Sequence, residues 1–266
     1  MKSKPARETL SYWWFLKKVE AAKNRVLLLD YDGTLAPFNT DRDRARPYPK
    51  IPDFLCNIMR SCSTRLIIVS GRPVRELPTL LGLYPQPEIW GTYGIEKIHS
   101  DGRYEEAQVS HRTLLILAEA ETRLESEGLG DFTEVKLAAV AVHWRGQPAS
   151  DALNIKAKAY RILQPLALQP ELVLAEFDEG LEIRLSSANK GDAVRSFLAG
   201  LDPDVPVAYL GDDVTDEDAF RALNGRGLTI LVGPKPRLTA AQTWLQPPAE
   251  LFQFLMNWIL ACRETK

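Results

Sequence analysis

A short apolar run that ends in acidic residues places the strongest constraint on the fold of this chain. Residues 25–30 read Arg-Val-Leu-Leu-Leu-Asp, and Tyr, Asp and Gly follow. A continuous apolar run of this length is typical of a strand buried on both faces of a parallel sheet. The run therefore predicts a central strand of an α/β fold, with Asp30 and Asp32 at its carboxyl end.

The same pattern recurs along the chain, which predicts a doubly wound sheet. Further buried strands are predicted at 65–69, 205–210 and 227–232, and helices at 51–61, 190–198 and 216–223. Strands that alternate with helices form parallel sheets with right-handed crossovers. Ligands bind such open sheets beyond the carboxyl ends of the strands. The predicted fold class is thus α/β, with a doubly wound, Rossmann-like core whose site lies at that edge.

The middle of the chain follows a different pattern, which predicts an insertion. Helices are predicted at 112–124 and 151–163, and strands at 135–144 and 171–176. This mixture is typical of an α+β unit rather than of a continued parallel sheet. We interpret residues 100–177 as a cap domain inserted into a core formed by residues 1–99 and 178–266.

Composition excludes several classes of function. The chain has 33 basic and 35 acidic residues, and so lacks the basic excess of a nucleic-acid-binding protein. Its three histidines form no helical HxxxH pair, which argues against a zinc hydrolase. Its three cysteines are an odd number without metal-ligand spacing, which argues against a disulfide framework and for a reducing compartment. A small-molecule partner is expected.

The N-terminal segment predicts a surface helix docked on the core. Leu10, Trp13, Trp14 and Val19 follow helical spacing. The apolar cluster is too short and too polar for a signal peptide or a membrane span. A cytoplasmic protein that does not contact a membrane is therefore expected.

Asp30 and Asp32 are suited to two different catalytic roles. Strand residues two apart point the same way, and Gly33 allows the turn that holds both carboxylates at the strand end. One carboxylate can attack phosphorus while the other protonates the leaving alcohol and later activates water. A simple Asp-Gly turn is the alternative for this segment alone, whereas the spacing does not fit an EF-hand.

A second acidic cluster, residues 211–218, predicts a cation site. Mg²⁺ prefers one or two carboxylates together with water and phosphate oxygens, which Asp212 and Asp30 together can supply. The alternative is an acidic helix start, because Asp and Thr cap helices and favour the positive end of the helix dipole. That alternative is preferred for Glu217 and Asp218.

Two segments have groups that can bind phosphate oxygens. Ser70, Gly71 and Arg72 follow a predicted strand and offer a hydroxyl and backbone N–H groups. Lys190 lies at a predicted helix start, where its ammonium and the helix dipole both favour an anion. Taken separately, a turn and a solvated lysine are the simpler interpretations.

In this order, the four motifs resemble those of the haloacid dehalogenase superfamily of phosphatases. The motifs are Asp30-Tyr31-Asp32-Gly33-Thr34, Ser70, Lys190 and Gly211-Asp212-Asp213. The resemblance implies that Asp30 is the nucleophile and Asp32 the general acid/base, and that the predicted insertion is a C2-type cap. It also implies a phosphoryl site formed by Ser70, Gly71 and Lys190, and a Mg²⁺ site formed by Asp30, Asp212 and the backbone carbonyl of Asp32, supported by Asp213.

Segments within and after the cap resemble trehalose-6-phosphate phosphatases. Residues 134–136 resemble the Glu-x-Lys segment of that family, residues 143–145 its His-Tyr-Arg segment, and residues 182–184 its Glu-Ile-Arg segment. The likeness spans about residues 25–232 and implies hydrolysis of trehalose 6-phosphate to trehalose and phosphate. The substrate contacts that it implies are Arg72, Glu134, Lys136, His143, Arg145, Glu182 and Arg184.

Three departures concern the sugar rather than the phosphoryl group. Tyr93 stands where the family has His, Trp144 where it has Tyr, and Leu185 where it has Pro. Phosphatases for glucosylglycerol, mannosylglycerate or sucrose phosphate therefore stay open as alternatives, as does a noncatalytic regulatory domain. For the cap residues, an ordinary polar strand face is the alternative to substrate contact. A functional link to a sugar-phosphate synthase is also left open.

Overall fold

The computed structural model describes residues 6–39 and 41–263, the side chains of residues 6–11 and 61 excepted. Its helices are α1 Ala6–Ala21, α2 Ile51–Ser61, α3 Leu77–Leu81, α4 His111–Ser126, α5 Ala149–Leu166, α6 Lys190–Ala199, α7 Glu217–Leu223 and α8 Ala249–Arg263. Its strands are β1 Arg25–Leu29, β2 Thr64–Val69, β3 Glu88–Gly91, β4 Glu96–Ile98, β5 Tyr104–Glu106, β6 Thr133–Lys136, β7 Ala139–His143, β8 Leu172–Phe177, β9 Gly180–Leu185, β10 Val207–Gly211, β11 Leu228–Val232 and β12 Thr243–Leu245.

The larger sheet has eight strands in the order β12-β11-β10-β1-β2-β3-β4-β5. The strands from β12 to β3 are parallel, and β4 and β5 extend the sheet antiparallel. Alternate residues of β1 face opposite layers: Leu27 and Leu29 pack with α2 and α8, and Val26 and Leu28 with α6 and α7. Burial on both faces explains the continuous apolar run, and the predicted α/β fold class is confirmed.

The smaller sheet has four antiparallel strands in the order β6-β7-β9-β8. Its apolar face, which includes Val140, Val142 and Ile183, packs against α4 and α5. Register places Glu134 opposite Ala141, and Ala141 opposite Glu182, so polar side chains share the other face. The sheet therefore has one face covered by helices and one polar face.

Sheet membership differs from the predicted boundaries at both ends of the insertion. β5 lies within 100–177 but pairs with β4 of the larger sheet, whereas β9 lies beyond 177 but pairs with β7 and β8 of the smaller one. The Asp178-Glu179 turn joins β8 to β9 as a hairpin, which explains why a boundary there separates two paired strands. The division into two domains stays a prediction.

The predicted strand at 135–144 is wrong, because the chain reverses within it. Lys136 pairs with Ala139, so β6 and β7 form a hairpin whose turn is Leu137-Ala138. No Gly, Pro, Asn or Asp marks this turn in the sequence.

The predicted N-terminal helix is present, but among the described side chains its buried face coincides with the predicted stripe only at Val19. Phe15, Leu16 and Val19 are buried, whereas Trp13 and Trp14 are exposed. The side chain of Leu10 lies outside the described residues. Within the described ranges, no helix is both long and apolar enough to cross a bilayer. The three cysteines are free, and Cys62 and Cys262 are buried in the core.

Candidate active site

The carboxyl ends of β1, β2 and β10 meet at one edge of the larger sheet. Leu29 pairs with Leu210 of β10 on one side and with Ile68 of β2 on the other. The backbone N–H of Asp30 donates to the carbonyl of Leu210 at 2.9 Å, which continues this register by one residue. The polar residues that follow the three strands are therefore brought together.

A cavity of about 100 Å³ lies at this edge, between the two sheets. Predicted site residues that line it are Asp30, Asp32, Ser70, Gly71, Arg72, Glu134, Lys136, His143, Arg145, Lys190, Asp212 and Asp213. Residues that sequence reasoning did not assign to the site also line it: Phe38, Arg42, Tyr93, Phe177 and Thr215. The structure thus brings both predicted acidic clusters and one face of the smaller sheet to a single cavity.

Lys190 forms the buried electrostatic centre of the site. Asn189 caps the start of α6, and the first residue of that helix, Lys190, donates to Asp30 Oδ1 at 2.6 Å and to Asp216 Oδ1 at 2.8 Å. All three charged side chains are buried. Burial opposes the charge of Lys190, but Asp216 and Asp30 outweigh it and hold the pKa of the ammonium well above its ordinary value. The solvated-lysine interpretation is therefore wrong.

Asp30 is a buried carboxylate with one free oxygen. Burial raises its pKa to about 7, against the opposing attraction of Lys190 and with a further increase from Asp216. Oδ2 of Asp30 is buried and accepts no hydrogen bond from any residue in the described ranges. An oxygen of this kind needs an electrophile or a cation to compensate for its loss of water.

Three clustered carboxylates mark the place of the candidate cation site. Oxygens of Asp30, Asp212 and Asp216 lie within 4.8 Å of one another. Burial raises the pKa of Asp212 well above its ordinary value, and the charges of Asp30 and Asp216 add to this effect. Hard oxygen donors with excess negative charge suit a divalent cation such as Mg²⁺.

Asp216 orients the loop rather than offering a free ligand. Its Oδ1 accepts from Tyr209 at 2.6 Å as well as from Lys190, and its Oδ2 accepts the backbone N–H groups of Asp212 and Asp213, each at 3.1 Å. Both oxygens are therefore occupied. The sequence placed Asp216 in the acidic cluster but carried no signal of these contacts.

Gly33 lets Asp212 approach the end of β1. The residue has φ +77°, and an added Cβ would lie 2.0 Å from Oδ2 of Asp212. Thr34 also donates to Oδ1 of Asp212 at 3.5 Å. Both the turn and the close contact therefore require glycine. By contrast, Oδ1 of Asp213 accepts from the backbone N–H of Val214 at a helix start, and its predicted metal role stays a prediction.

Arg72 holds both oxygens of Asp32. Its Nε donates to Oδ2 and its Nη2 to Oδ1, each at 2.7 Å, while its Nη1 lies 3.3 Å from Glu76 Oε2. Arg72 is 3% exposed, so this bidentate pair is fixed within the protein. Ser70 Oγ accepts the backbone N–H of Arg72 at 3.1 Å, which orders the turn after β2.

Tyr93 closes the site beneath this turn. The residue is buried, has φ 58°, and an added Cβ at Gly71 would lie 2.9 Å from its ring. The ammonium of Lys136 and the guanidinium of Arg184 lie 5.4 Å and 5.5 Å from the ring centre. The sequence marked Tyr93 only as a departure from a family pattern.

Glu134 contacts three basic side chains at the polar face of the smaller sheet. Oε2 of Glu134 lies 2.9 Å from His143 Nε2 and 3.7 Å from Lys136 Nζ, and it forms an ion pair with Arg42. Burial opposes the charge of Glu134, but Lys136, His143 and Arg42 hold its pKa well below its ordinary value. Oε1 of Glu134 is buried and finds no partner among the described residues.

Two predicted substrate residues lie outside the cavity lining. Glu182 accepts from Lys136 Nζ at 2.7 Å, and Arg184 donates to the backbone carbonyl of Ala188. Their predicted substrate contacts stay predictions. Arg145 does reach the cavity, where its guanidinium lies 4.8 Å from the ring centre of Phe38 and its Nη2 donates to the carbonyl of Asp178 at 3.2 Å.

Comparison with known proteins identifies the family of this chain. The sequence profile of the family described as Trehalose-phosphatase matches residues 28–243 of this chain. The chain belongs to the trehalose-phosphatase family. The matched segment includes every predicted site residue, all of the smaller sheet and most of the larger one, so the predicted resemblance is confirmed.

Relatives in this family match most of the chain. It is 31% identical over 258 residues to a trehalose-phosphate phosphatase of Mycobacterium avium (strain 104), an alignment that covers 88% of this chain and 62% of that protein. It is 31% identical over 269 residues to a protein of Arabidopsis thaliana named probable trehalose-phosphate phosphatase D, covering 92% and 70%. The chain therefore spans about three fifths of the length of the mycobacterial relative.

The fold also matches that of a solved family structure. Aspergillus fumigatus trehalose-6-phosphate phosphatase superposes with a TM-score of 0.68 at 24% identity, over 94% of this chain and 97% of that one. At this identity the likeness supports the fold alone. It agrees with the predicted α/β fold class.

Proposed function

We propose that this chain is a Mg²⁺-dependent phosphatase that hydrolyses trehalose 6-phosphate to trehalose and phosphate. The observation that carries the proposal is the free Oδ2 of Asp30, which is buried beside Lys190 in the cavity that also contains Asp32 and Ser70. A buried carboxylate oxygen without a partner suits a nucleophile, because attack on an electrophile supplies the interaction that it lacks.

In the first step, Oδ2 of Asp30 attacks the phosphorus and the bond from phosphorus to the sugar oxygen breaks. Asp32 protonates the departing oxygen, and an aspartyl-phosphate remains on Asp30. In the second step, Asp32 takes a proton from a water molecule that attacks the same phosphorus. Inorganic phosphate leaves, the Asp30 carboxylate is restored and Asp32 is again protonated.

The surrounding residues would bind and orient the phosphoryl group. Lys190 faces the nucleophile, and Ser70 with the backbone after β2 offers hydrogen-bond donors. Asp30 and Asp212 would hold Mg²⁺, with the Asp32 carbonyl and Asp213 as further predicted contributors. Bound there, the cation would neutralise charge on the transferring group.

The polar face of the smaller sheet would bind the sugar, and we propose that β6 to β9 with α4 and α5 act as the cap. Glu134 offers an unpartnered buried oxygen, and Lys136, His143 and Arg145 line the same cavity. The cavity of about 100 Å³ is smaller than the roughly 300–1,000 Å³ of typical ligand sites. We therefore propose that the cap moves away from the core to admit a phosphorylated disaccharide.

The test is phosphate release from a panel of esters with and without Mg²⁺. We expect Mg²⁺-dependent turnover with strong preference for trehalose 6-phosphate over sucrose 6-phosphate, glucosylglycerol phosphate, mannosylglycerate phosphate and glucose 6-phosphate. Preference for another ester would retain the Asp30 mechanism and overturn the substrate. Full activity in excess EDTA would overturn the metal role. Absence of phosphate release from every ester would favour a noncatalytic regulatory domain.

The cytoplasmic location and the link to a sugar-phosphate synthase stay predictions from the sequence. The expected absence of nucleic-acid and membrane partners likewise rests on composition and hydropathy.

A further inference from the structure

A row of ion pairs joins the polar face of the smaller sheet to the predicted general acid/base. Arg42 pairs with Glu134 through Nη1 and lies 3.5 Å from Glu76 Oε2 through Nη2. The same Glu76 oxygen lies 3.3 Å from Arg72 Nη1, and Arg72 holds Asp32 at 2.7 Å. The row therefore runs from Glu134 through Arg42, Glu76 and Arg72 to Asp32, and the charges alternate in sign along it.

Arg42 is the member of this row that joins the two sheets. It begins the 3-10 helix Arg42–Arg44, which follows the end of β1 in the chain, whereas Glu134 lies on β6 of the smaller sheet. A guanidinium is planar and rigid, so its two outer nitrogens can hold two carboxylates in a fixed relative position. The position of Glu134 therefore influences how Arg42 faces Glu76.

The other end of the row sets the orientation of Asp32. Both oxygens of that carboxylate are held by one fork of Arg72, and each keeps lone pairs that can carry a proton. Glu76 contacts the third nitrogen of Arg72 and so restrains the fork. If the cap moves away with Glu134, Arg42 is free to take Glu76 from Arg72, and the restraint on Asp32 weakens.

We infer that Arg42 is a positioning residue that couples closure of the cap to the orientation of Asp32. The inference rests on the proposed phosphatase function and deepens it. Asp32 is aligned to protonate the departing sugar oxygen when β6 lies against the core, and it loses that alignment when the cap opens. Proton donation to the leaving group is thereby restricted to the closed arrangement, in which the substrate is enclosed.

The leaving group separates this role from a purely structural one. A sugar alcohol is a strong base when it leaves and needs the proton that Asp32 supplies, whereas p-nitrophenolate leaves without one. Hydrolysis of the aspartyl-phosphate also uses Asp32 and is common to both esters, so the comparison is made on kcat/KM, which reports the steps up to release of the alcohol. A variant that misaligns Asp32 should therefore lower kcat/KM for trehalose 6-phosphate far more than for p-nitrophenyl phosphate. A variant that damages the nucleophile or the phosphoryl site should slow both esters alike.

The experiment compares kcat and KM for both esters in the full chain with saturating Mg²⁺. Arg42→Gln should lower kcat/KM for trehalose 6-phosphate by about tenfold or more, part of the ~10²–10⁴-fold that general acid catalysis contributes. Its kcat/KM for p-nitrophenyl phosphate should fall by less than about threefold, and Arg42→Lys should recover part of the loss for trehalose 6-phosphate. The matched control is Arg44→Gln, since Arg44 lies in the same 3-10 helix, is 81% exposed in its side chain and pairs only with Asp41 among the described residues.

A double variant tests the route through Glu76. If Arg42 acts through that carboxylate, Arg42→Gln combined with Glu76→Gln should lose no more kcat/KM for trehalose 6-phosphate than the larger single loss. Independent, multiplying losses would overturn the coupling.

Further outcomes would overturn the role of Arg42 or the proposed function itself. Equal losses of kcat/KM for both esters, or a raised KM for trehalose 6-phosphate with unchanged kcat, would overturn the positioning role. If the wild-type chain hydrolyses a different sugar phosphate, the same comparison is made with that ester. If it hydrolyses no ester, the proposed function itself fails, a result distinct from an active wild type with unaffected Arg42 variants.

Discussion

The ammonium of Lys190 lies 2.6 Å from Oδ1 of Asp30, and each side chain is only 4% exposed. Lys190 also pairs with Asp216, so one buried ammonium balances two buried carboxylates. A buried charge whose partner is removed costs far more than a surface ion pair is worth. The excess of negative charge explains why the site needs a further cation.

Removal of the Lys190 charge should be strongly destabilising. Lys190→Met leaves Asp30 and Asp216 without their shared cation, and we expect a loss of about 3–5 kcal/mol in the free energy of unfolding. Denaturant titration measures the loss. The control is Lys23→Met at an exposed lysine, which should change stability by no more than about 0.5 kcal/mol. Equal effects of the two substitutions would contradict a buried electrostatic centre.

Asp30→Asn should stabilise the protein in EDTA, and the gain should depend on pH. Burial raises the pKa of Asp30 to about 7, so between about pH 4 and pH 7 the folded state holds a proton that the unfolded state releases. The stability of the wild type therefore falls as pH rises through this window, whereas the variant lacks this titration.

Thermal unfolding in EDTA measures this difference. The excess melting temperature of Asp30→Asn should increase from pH 5 to pH 7.5, by about 2–4 °C for each kcal/mol. An excess that is constant with pH, or one that shrinks as pH rises, would contradict the raised pKa of the nucleophile.

Gly33→Ala should weaken the response to Mg²⁺. The added Cβ would lie 2.0 Å from Oδ2 of Asp212 and so displace a proposed ligand. We expect the Mg²⁺ concentration for half-maximal activity to rise by about tenfold or more, as when the support of a metal ligand is lost. Gly102→Ala is the matched control, because Gly102 has φ +84° and no heavy atom within 4 Å of the added Cβ. The same Mg²⁺ dependence in both variants would show that backbone strain alone is responsible.

Glu134→Gln should impair binding of the sugar and leave attack on the phosphorus intact. Because the substitution also weakens the pair with Arg42, it should slow proton donation to the sugar oxygen as well. The substitution keeps the size of the side chain but removes the charge that Lys136, His143 and Arg42 surround. We expect KM for trehalose 6-phosphate to rise by about tenfold, consistent with a charged hydrogen bond of about 1.5–3 kcal/mol. KM for p-nitrophenyl phosphate should change little. Asp131→Asn at an exposed neighbour serves as the control, and equal KM values in the two variants would remove Glu134 from the sugar site.

The parts of the fold that the sequence predicts well are those whose burial pattern is simple. β1, β2, β10 and β11 are covered on both faces, so each appears as an apolar run, and their register brings Asp30, Ser70 and Asp212 to one edge. The sequence therefore predicts both the core fold and the part of the cavity that contains the proposed catalytic, phosphate-binding and metal-binding residues.

Features that depend on tertiary contacts could not be predicted. The Leu137-Ala138 turn carries no turn residues, because pairing of the flanking strands stabilises it. The burial of Phe15 instead of Trp14 is decided by where Trp258 of α8 lies.

The missed site residues share the same origin. Arg42 lies in a short 3-10 helix whose sequence shows no periodicity, and its role follows only from the approach of β6. Tyr93 owes its place to a backbone with positive φ, which the sequence does not reveal for a bulky residue. Partners of opposite charge that are far apart in the chain become visible only in the folded structure.

The measurement that tests the central claim most directly is phosphate release from trehalose 6-phosphate by the wild type and by Asp30→Asn, both folded and saturated with Mg²⁺. If Asp30 is the nucleophile, the wild type turns over and the variant releases no phosphate above the uncatalysed background. A folded Asp30→Asn protein that hydrolyses the ester at the rate of the wild type would contradict the mechanism.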